Sequence, residues 1–424
     1  MKVLVVGSGA REHALARKIA SSAQVSAVLC APGNAGTAEI AQNVALDVND
    51  PAAIVAFARE QNVDFVVVGP EAPLVAGAVD ALSAAGILAY GPTREAAALE
   101  GSKALSKRFM ARHGIPTAAF GIFDDPAQAH QYIDAANTKL VVKADGLAAG
   151  KGVIVCRDAT QAHQAVDSIM VERAFGEAGN TVVIEERLSG QEVSFHVVLD
   201  GKRFVALCAA QDHKAIGDGD TGPNTGGMGA YSPPLVVTPE VEQKIVREVV
   251  EPSVAGLRAD EIDFRGTLFI GLMIVDGAPM VLEYNVRFGD PETQVIMARL
   301  AGDVMPLLLG ASRGDLSQVS LQWEAPAAMC VVLAAAGYPG NYDKGAIIAG
   351  TDAAAALPGV QVLHAGTRLQ DGNVVTNGGR VLGVTAIGDT IDEVADLVYR
   401  AVNLIHFPGM QYRRDIGHHA RTRL

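Results

Sequence analysis

The chain has little of what marks several common protein classes. Its four cysteines, Cys30, Cys156, Cys208 and Cys330, lie far apart and form no CxxC pair, so no zinc knuckle or dithiol redox site is readable. They read as buried free thiols in a reducing cytoplasm. Aromatic residues make up only 5% while Ala and Gly abound, a balance that suits packed α/β layers better than a disulfide mini-fold. No apolar run approaches the ~18 residues a membrane span needs. The apolar run after Lys2 ends at Gly7 and reads as a strand rather than a signal peptide. Basic residues are outnumbered, 34 Lys and Arg against 47 Asp and Glu, and the net charge of −13 argues against a general nucleic-acid binder. Anionic small molecules stay open, because a local nest of amides and lysines can oppose the global sign. What is present, 49% hydrophobic and 19% charged residues over 424 positions, describes a globular protein of two to four domains.

The opening stretch KVLVVGSGAREHALARKIA reads as strand, glycine turn and helix. A dinucleotide fingerprint wants G-x-G-x-x-G and an acid ending the second strand. Gly7 and Gly9 fit, but Glu12 takes the third position, and the second strand ends in Pro32-Gly33-Asn34. The stretch is therefore expected to be a Rossmann-like unit without the dinucleotide site. Its helix N-terminus, with Arg11 and His13 nearby, either receives an anion or sugar or merely permits a tight turn.

Strands at Val3–Val6, Val25–Cys30, Phe65–Val68 and Ile87–Tyr90 alternate with helical segments and predict a parallel sheet. The loops at strand ends, APGNAGT and GPEAPL, mark a ligand crevice, with Glu71 either a substrate contact or a surface acid. A helix is expected from Ser102, its cap, to about His113, followed by a second α/β stretch over about 117–190. From Glu192 the pattern turns to hairpins, with Asp-Gly turns in HVVLDGKRFVAL and LMIVDGAPMVLEYN. A mostly polar helical stretch is expected over 303–324. A last unit follows, from AAMCVVLAAAGYPG through the hairpin of TRLQDGNVVTNGGRVLGVTAIG to an amphipathic helix near 390–405. His418 and His419 read as a solvated tail, since adjacent histidines usually point apart and no third ligand is close in sequence.

Four stretches carry chemistry. VVKADGLAAGKGVIV (141–155) fails as a P-loop: three residues separate Gly146 from Gly150, and Gly152 follows Lys151 where Ser or Thr is required. It reads as a glycine hairpin whose amides face phosphates, with Lys143 as a point charge, or as an ordinary hairpin. In VLEYNVRFGDPETQ (281–294), strand alternation puts Glu283 and Asn285 on one face. A carboxylate beside a carboxamide suits Mg²⁺, and Arg287 could hold a carboxylate or a transferring phosphoryl group. Asp290, Glu292 and Gln294 follow. VVIEERLSGQEVSFHVV (182–198) offers backbone groups near Glu185–Leu188 for an adenine edge and Glu192 for ribose hydroxyls. QDHKAIGDGDTGPNTGGMGAYSP (211–233) is Gly-rich and lacks apolar periodicity, and reads as a substrate loop that orders on binding.

Together GSGAREHALA, APGNAGT, VGPEAPL, KADGLAAGKGV, AQDHK, DTGPNTGGMGAYSP, NVRFGDPETQ and HAGT resemble the glycinamide ribonucleotide synthetases of the ATP-grasp superfamily, from Lys2 to RDIG at 414–417. The resemblance implies an α/β and α+β multidomain protein. It would have a Rossmann-like N-terminal domain (1–101), an ATP-grasp domain (102–324, lid about 117–190) and a small α+β C-terminal domain (325–424). It implies ATP contacts at Lys103, Lys143, Gly150, Lys151, Gly152, Glu185, Glu186, Leu188 and Glu192, and Mg²⁺, or Mn²⁺ in its place, on Glu283 and Asn285. Substrate contacts are implied at Gly9, Arg11, Glu71, Asp212, His213, Lys214, Asn224, Thr225, Gly226, Gly227, Met228, Arg287 and Asp290. Lys143, Arg287 and Asp290 would act in catalysis. The implied reaction joins glycine to 5-phosphoribosylamine through glycyl phosphate, in de novo purine synthesis in the cytoplasm. No nucleic acid or membrane takes part, and an upstream enzyme can hand over the ribosylamine. Rival readings are another ATP-grasp ligase, a nicotinamide oxidoreductase and a non-catalytic binding protein.

Overall fold

The computed structural model describes residues 1–147 and 152–421. The N-terminal sheet has the strand order Gln42–Asn43, Ala27–Pro32, Lys2–Gly7, Phe65–Val68, Leu88–Tyr90 and is parallel throughout. Its central strand, Val3 to Val6, has no exposure at all, as expected for a parallel sheet covered on both faces. The short edge strand Gln42–Asn43 escaped the sequence reading because two polar residues carry no periodicity.

The glycines of the first turn serve Glu12. Its carboxylate folds back to accept from the Gly9 N–H at 2.6 Å, and it also pairs with Arg11. A Cβ at Gly9 would stand 2.8 Å from Glu12 Oε2 and 3.1 Å from Asp290 Oδ2, while Gly7 has φ +128° and would collide with the Glu12 stem. The space a pyrophosphate would take is filled by the protein's own carboxylate.

Helix Lys103–Arg112 begins at Ser102, whose hydroxyl accepts from the Leu105 N–H. The stretch after it forms a four-stranded sheet in the order Phe120–Phe123, Val182–Glu186, Leu140–Ala144, Val153–Val155. These pairings are antiparallel, so helices Pro126–Ala135 and Ala159–Val166 connect strands without parallel crossovers. The 141–155 stretch is indeed a hairpin, with Val141 opposite Val155.

A second antiparallel sheet, in the order Phe204–Ala206, Gln191–Asp200, Arg265–Val275, Ala278–Asn285, realises both Asp-Gly hairpins. Its last strand carries a bulge: Val281 pairs with Leu272 and Glu283 with Gly271, so Leu282 has no partner.

The stretch 211–233 is more regular than its composition predicts. Gln211–Asp212 and Gly229–Ser232 are strands, and Ala215–Gly217 pairs with Thr221–Asn224. The first two join a sheet whose other strands lie far along the chain: Gln211–Asp212, Gly229–Ser232, Ala327–Ala334, Arg380–Gly388, Val360–His364. Helix Ile391–Val402, capped by a Thr390/Glu393 box, covers this sheet with Val394, Val398 and Val402 fully buried.

Two expectations are corrected. Only Met305–Arg313 of the 303–324 stretch is helical, and its Leu307, Leu308 and Leu309 lie in the core, because the polar residues that suggested a solvated helix follow it in a loop. The tail Arg413–Ala420 is anchored, although His419 is exposed as expected and His418 half-buried: Arg413 is wholly buried, reaching Asp220 and Asp415 at 2.7 Å, and Ile416 is buried. Ion pairs with a distant loop, invisible in a local window, hold it down.

Candidate active site

The bulge at Leu282 decides which way the metal-type residues face. Val281, Tyr284 and Val286 lie in the core, so the inward parity changes across the bulge. An unbroken period of two would have put Glu283 and Asn285 inward with Val281. Instead Glu283 is half-buried at the cleft, and the bulged Leu282 carbonyl accepts from Lys143 Nζ at 3.2 Å.

Lysines surround this strand. Glu185 extends a buried carboxylate between Lys143 and Lys107, the latter at 2.7 Å. Burial lowers Lys107 to about 8, opposed by Glu185. Lys103 Nζ donates to the Gly146 carbonyl at 2.9 Å, tying the helix start to the entry of the glycine hairpin, and Asp145 accepts from Ser102 Oγ and the Ala104 N–H. Glu185 was assigned a backbone contact. Its side chain emerges as the anion that holds Lys143, a role the sequence signals only by an acid ending an apolar strand. The next two N–H groups, of Glu186 and Arg187, pair with the Ala119 and Lys139 carbonyls, so Leu188 lies just beyond the sheet pairing. Gly150 and Lys151 lie outside the described residues; Gly152 is buried and its carbonyl accepts from the Ala144 N–H at 2.8 Å.

Opposite stands a crowd of acids. Lys214 Nζ lies 3.0 Å from Glu192 and 3.9 Å from Glu283. Burial, with Glu292, Glu192 and Glu283 nearby, pushes Asp212 well above the usual carboxylate range, although Lys214 opposes this. Burial likewise raises Glu292, which accepts from Ser194 Oγ at 2.7 Å. Burial also acts on Glu283, but Lys214, Lys143, Lys103 and Arg287 prevail and hold it below its ordinary value. An oxygen-rich cluster of this kind, with the Glu283 carboxylate and the Asn285 amide oxygen on one strand, fits a hard divalent cation bound through Glu283 and Asn285.

Arg287 is the second organising charge. Its guanidinium reaches Glu100 at 3.0 Å, Glu71 at 3.2 Å and Asn285 Oδ1 at 3.3 Å. Glu100, which the sequence reading missed, is raised by burial and also accepts from the Val286 N–H at 2.7 Å. Its helical position carries no motif, so no local signal marks it. Asp290 takes Gln294 Nε2 at 2.7 Å and Arg380 Nη2 at 3.4 Å, beside Gly9 at the first helix. Arg380 also donates to the carbonyls of Gly226, Gly227 and Asp290.

Other expected contacts are placed differently. Arg11 is buried, donating to the Phe288 carbonyl at 3.1 Å. His213 lies in the core, where its Nε2 accepts from the Gly417 N–H at 3.2 Å. Met228 is fully buried, Thr225 bonds the Lys214 carbonyl, and Asn224 is exposed on a hairpin. These residues build the loop's frame. Beside Gly9 and Asp290 a cavity of about 540 Å³ opens between the N-terminal and C-terminal sheets, lined also by Asn34, Thr367, Arg368 and Arg380. Asn34 of APGNAGT and Thr367 of HAGT meet here, and Asn34 Nδ2 bridges the Ser8 and His364 carbonyls at 2.9 and 2.8 Å.

Four buried histidines knit these parts together. Burial lowers His13, His196 and His213 to about 3 and His364 to about 4, with Arg287 adding to the effect at His196 and Arg413 at His213. Each is neutral in the folded state and binds a proton only when unfolded, so stability falls as pH drops below about 6.5. His13 Nδ1 accepts from the His364 N–H at 2.9 Å. In His13→Asn the amide oxygen can replace Nδ1, and chemical denaturation between pH 7 and 5 is expected to show a shallower loss of stability than in the parent. An identical slope would show that His13 is protonated in the fold.

The family models for the phosphoribosylglycinamide synthetase N, ATP-grasp (A) and C domains match residues 1–100, 101–293 and 328–419. The phosphoribosylamine–glycine ligases of Vibrio cholerae and Allochromatium vinosum are each 51% identical over 100% of this chain and 99% of their own. The crystal structure of phosphoribosylamine–glycine ligase from Thermotoga maritima superposes with a TM-score of 0.86 at 34% identity, covering 98% of this chain and 100% of that one. The biotin carboxylase domain of Hydrogenobacter thermophilus 2-oxoglutarate carboxylase, at TM-score 0.73 and 18% identity over 97% of this chain and 91% of its own, shares the fold. Matched by these three domain models along most of its length and by full-length relatives at about half identity, the chain belongs to the phosphoribosylglycinamide synthetase family.

Proposed function

We propose that this protein ligates glycine to 5-phosphoribosylamine with ATP, giving glycinamide ribonucleotide, ADP and phosphate in purine biosynthesis. The observation that carries the reading is the convergence of Lys103, Lys143, Lys214, Glu283, Asn285 and Arg287 on one cleft. Full-length identity of about half to ligases of that name supports it. On this reading the chain divides near 101 and 324, with the 117–190 segment as a lid.

A carboxylate repels an incoming amine. Transfer of the γ-phosphoryl of ATP makes glycyl phosphate, whose phosphate leaves when the ribosylamine nitrogen attacks. The transfer is a problem of positioning and charge. Lys103 and Lys143 face the phosphates, with Lys143 held by Glu185. Leu188 and the backbone after Glu185 face adenine, and Glu192 the ribose. Arg287, fixed between Glu71 and Glu100, orients the glycine carboxylate and stabilises charge on the transferring group. Glu283 and Asn285 would hold a magnesium ion, or manganese with the same oxygen preference, which would supply charge neutralisation to the phosphates. The cavity beside Gly9 suits the ribosylamine phosphate, with Arg368 and Arg380 as cationic walls. Lid closure excludes water, which would hydrolyse the acyl phosphate. The site suits small molecules in the cytoplasm, with direct handover from the enzyme that makes the unstable ribosylamine.

The deciding experiment measures ADP release with ATP, Mg²⁺ and glycine, with and without ribosylamine generated from ribose 5-phosphate and ammonia. Release that requires both substrates, with a product of the mass of glycinamide ribonucleotide, is expected. Release indifferent to either would move the substrate assignment to another carboxylate or amine. A second test concerns the lid. Gly152→Val adds a branched side chain at a buried position of the glycine hairpin, and is expected to lower kcat at least tenfold with the melting midpoint nearly kept. An unchanged rate would make the hairpin passive.

A further inference from the structure

Outside the cleft, one cluster has the composition of a transition-metal site. Single ligand atoms of Asp220, His418 and His419 all lie within 4.8 Å of one another. The packing around them prepares these atoms. His418 Nδ1 lies 3.2 Å from the Asp415 carbonyl, and with the proton on Nδ1 it leaves Nε2, 3.6 Å from Asp220 Oδ2, as a free lone pair. That is how backbone carbonyls orient metal-binding imidazoles. Arg413 Nη1 donates to the other Asp220 oxygen, Oδ1, at 2.7 Å, which fixes the carboxylate and leaves Oδ2 facing the histidines. The neighbouring His419 ring lies with its centroid 3.8 Å from that of His418. One guanidinium, Arg413, faces two carboxylates, Asp220 and Asp415, so an arriving dication meets net negative charge.

The two segments are aligned by hydrogen bonds of their own. Gly219 N–H donates to Asp415 Oδ2 at 2.8 Å and Arg414 N–H to Asp218 Oδ1 at 2.7 Å, so little ordering remains to be done on binding. We propose that Asp220, His418 and His419 bind one divalent ion of the zinc class, which fastens the C-terminal tail to the hairpin of the 211–233 loop. Two imidazoles and one carboxylate suit Zn²⁺, Co²⁺ or Ni²⁺ and not the oxygen-seeking Mg²⁺ of the cleft. The site is independent of the ligase reading, because none of its ligands lines the cleft.

The test uses the full chain, stripped with a chelator and titrated with Zn²⁺ by calorimetry, with Co²⁺ as a spectroscopic probe of tetrahedral nitrogen and oxygen ligation. One tight equivalent is expected, with a zinc-dependent rise in melting midpoint. His419→Ala is expected to weaken binding at least tenfold and remove that rise while turnover with magnesium is kept, and Asp220→Asn is expected to weaken binding likewise. The chain holds 10 histidines, so His163→Asn, in the other histidine pair His130/His163, serves as the control and should change nothing. The proposal is overturned if no zinc-dependent rise occurs, if His419→Ala binds zinc like the parent, or if the loss follows His163→Asn.

Discussion

Arg287→Met is expected to lower stability by about 3–5 kcal/mol and to abolish turnover. Arg287 is the counterion of two carboxylates, Glu71 and Glu100, and the Glu100 side chain is only 7% exposed. Removing the guanidinium takes away the cation in contact with both acids and leaves them only the more distant Arg11. Burial already raises Glu100 with Arg287 present; without the guanidinium, which opposes that rise, the carboxyl is raised further. The sign follows: a folded-state pKa above the unfolded one gives stability that is present at low pH and lost as pH rises. The variant is therefore expected to lie closest to the parent near pH 5 and to diverge toward pH 8. Adding Glu100→Gln should restore more than half of the lost stability, since the amide can still accept from the Val286 N–H. It should restore no activity, because the glycine carboxylate still lacks its cation. Denaturant melts of the single and double variants at two pH values, with ADP release, separate the two roles. A stable, inactive single variant would mean that the acids are not held by Arg287. An active one would remove Arg287 from the chemistry.

Glu283→Gln is expected to behave in the opposite way: turnover falls by about 10³-fold while the fold is nearly unaffected. The carboxylate is half-buried and contributes little packing. It stays ionised because Lys214, Lys143, Lys103 and Arg287 outweigh its burial, so its contribution to stability is present above its unfolded pKa and lost on acidification. At pH 7 the amide loses that attraction, but no buried cation is orphaned, since Lys214 keeps Glu192 and Lys143 keeps Glu185. Glu283→Asp retains a carboxylate on a shorter stem and should recover part of the rate as magnesium is raised. Turnover assayed against magnesium concentration, with a circular-dichroism melt, checks both. Near-parent turnover in Glu283→Gln would sink the metal assignment.

Much of the site was legible because its chemistry sits in contiguous runs. Strand alternation alone paired Glu283 with Asn285 and placed Arg287 beyond them, and Arg287 does reach Asn285. The mismatch at Glu12 excluded a dinucleotide, and the structure shows that side chain filling the glycine turn. The Asp-Gly hairpins and the Ser102 cap were readable because each depends on a few adjacent residues.

What the sequence did not reveal depends on partners far apart in the chain. Nothing local marks Glu100 as a partner of Arg287, or Lys107 as a partner of Glu185. Alternation put Glu283 and Asn285 on one face, but the bulge at Leu282 chose the face that meets the cleft. The 211–233 loop looks irregular in sequence because Gly229–Ser232 is anchored by Ala327–Ala334, far along the chain, and the tail looks unattached because Arg413 finds Asp220 across 193 residues. The sequence by itself determined the local elements and the residue types of the site, since periodicity, caps and turns are short-range. Only the tertiary structure decided which charges face each other, because burial and ion pairing depend on what folding brings into contact.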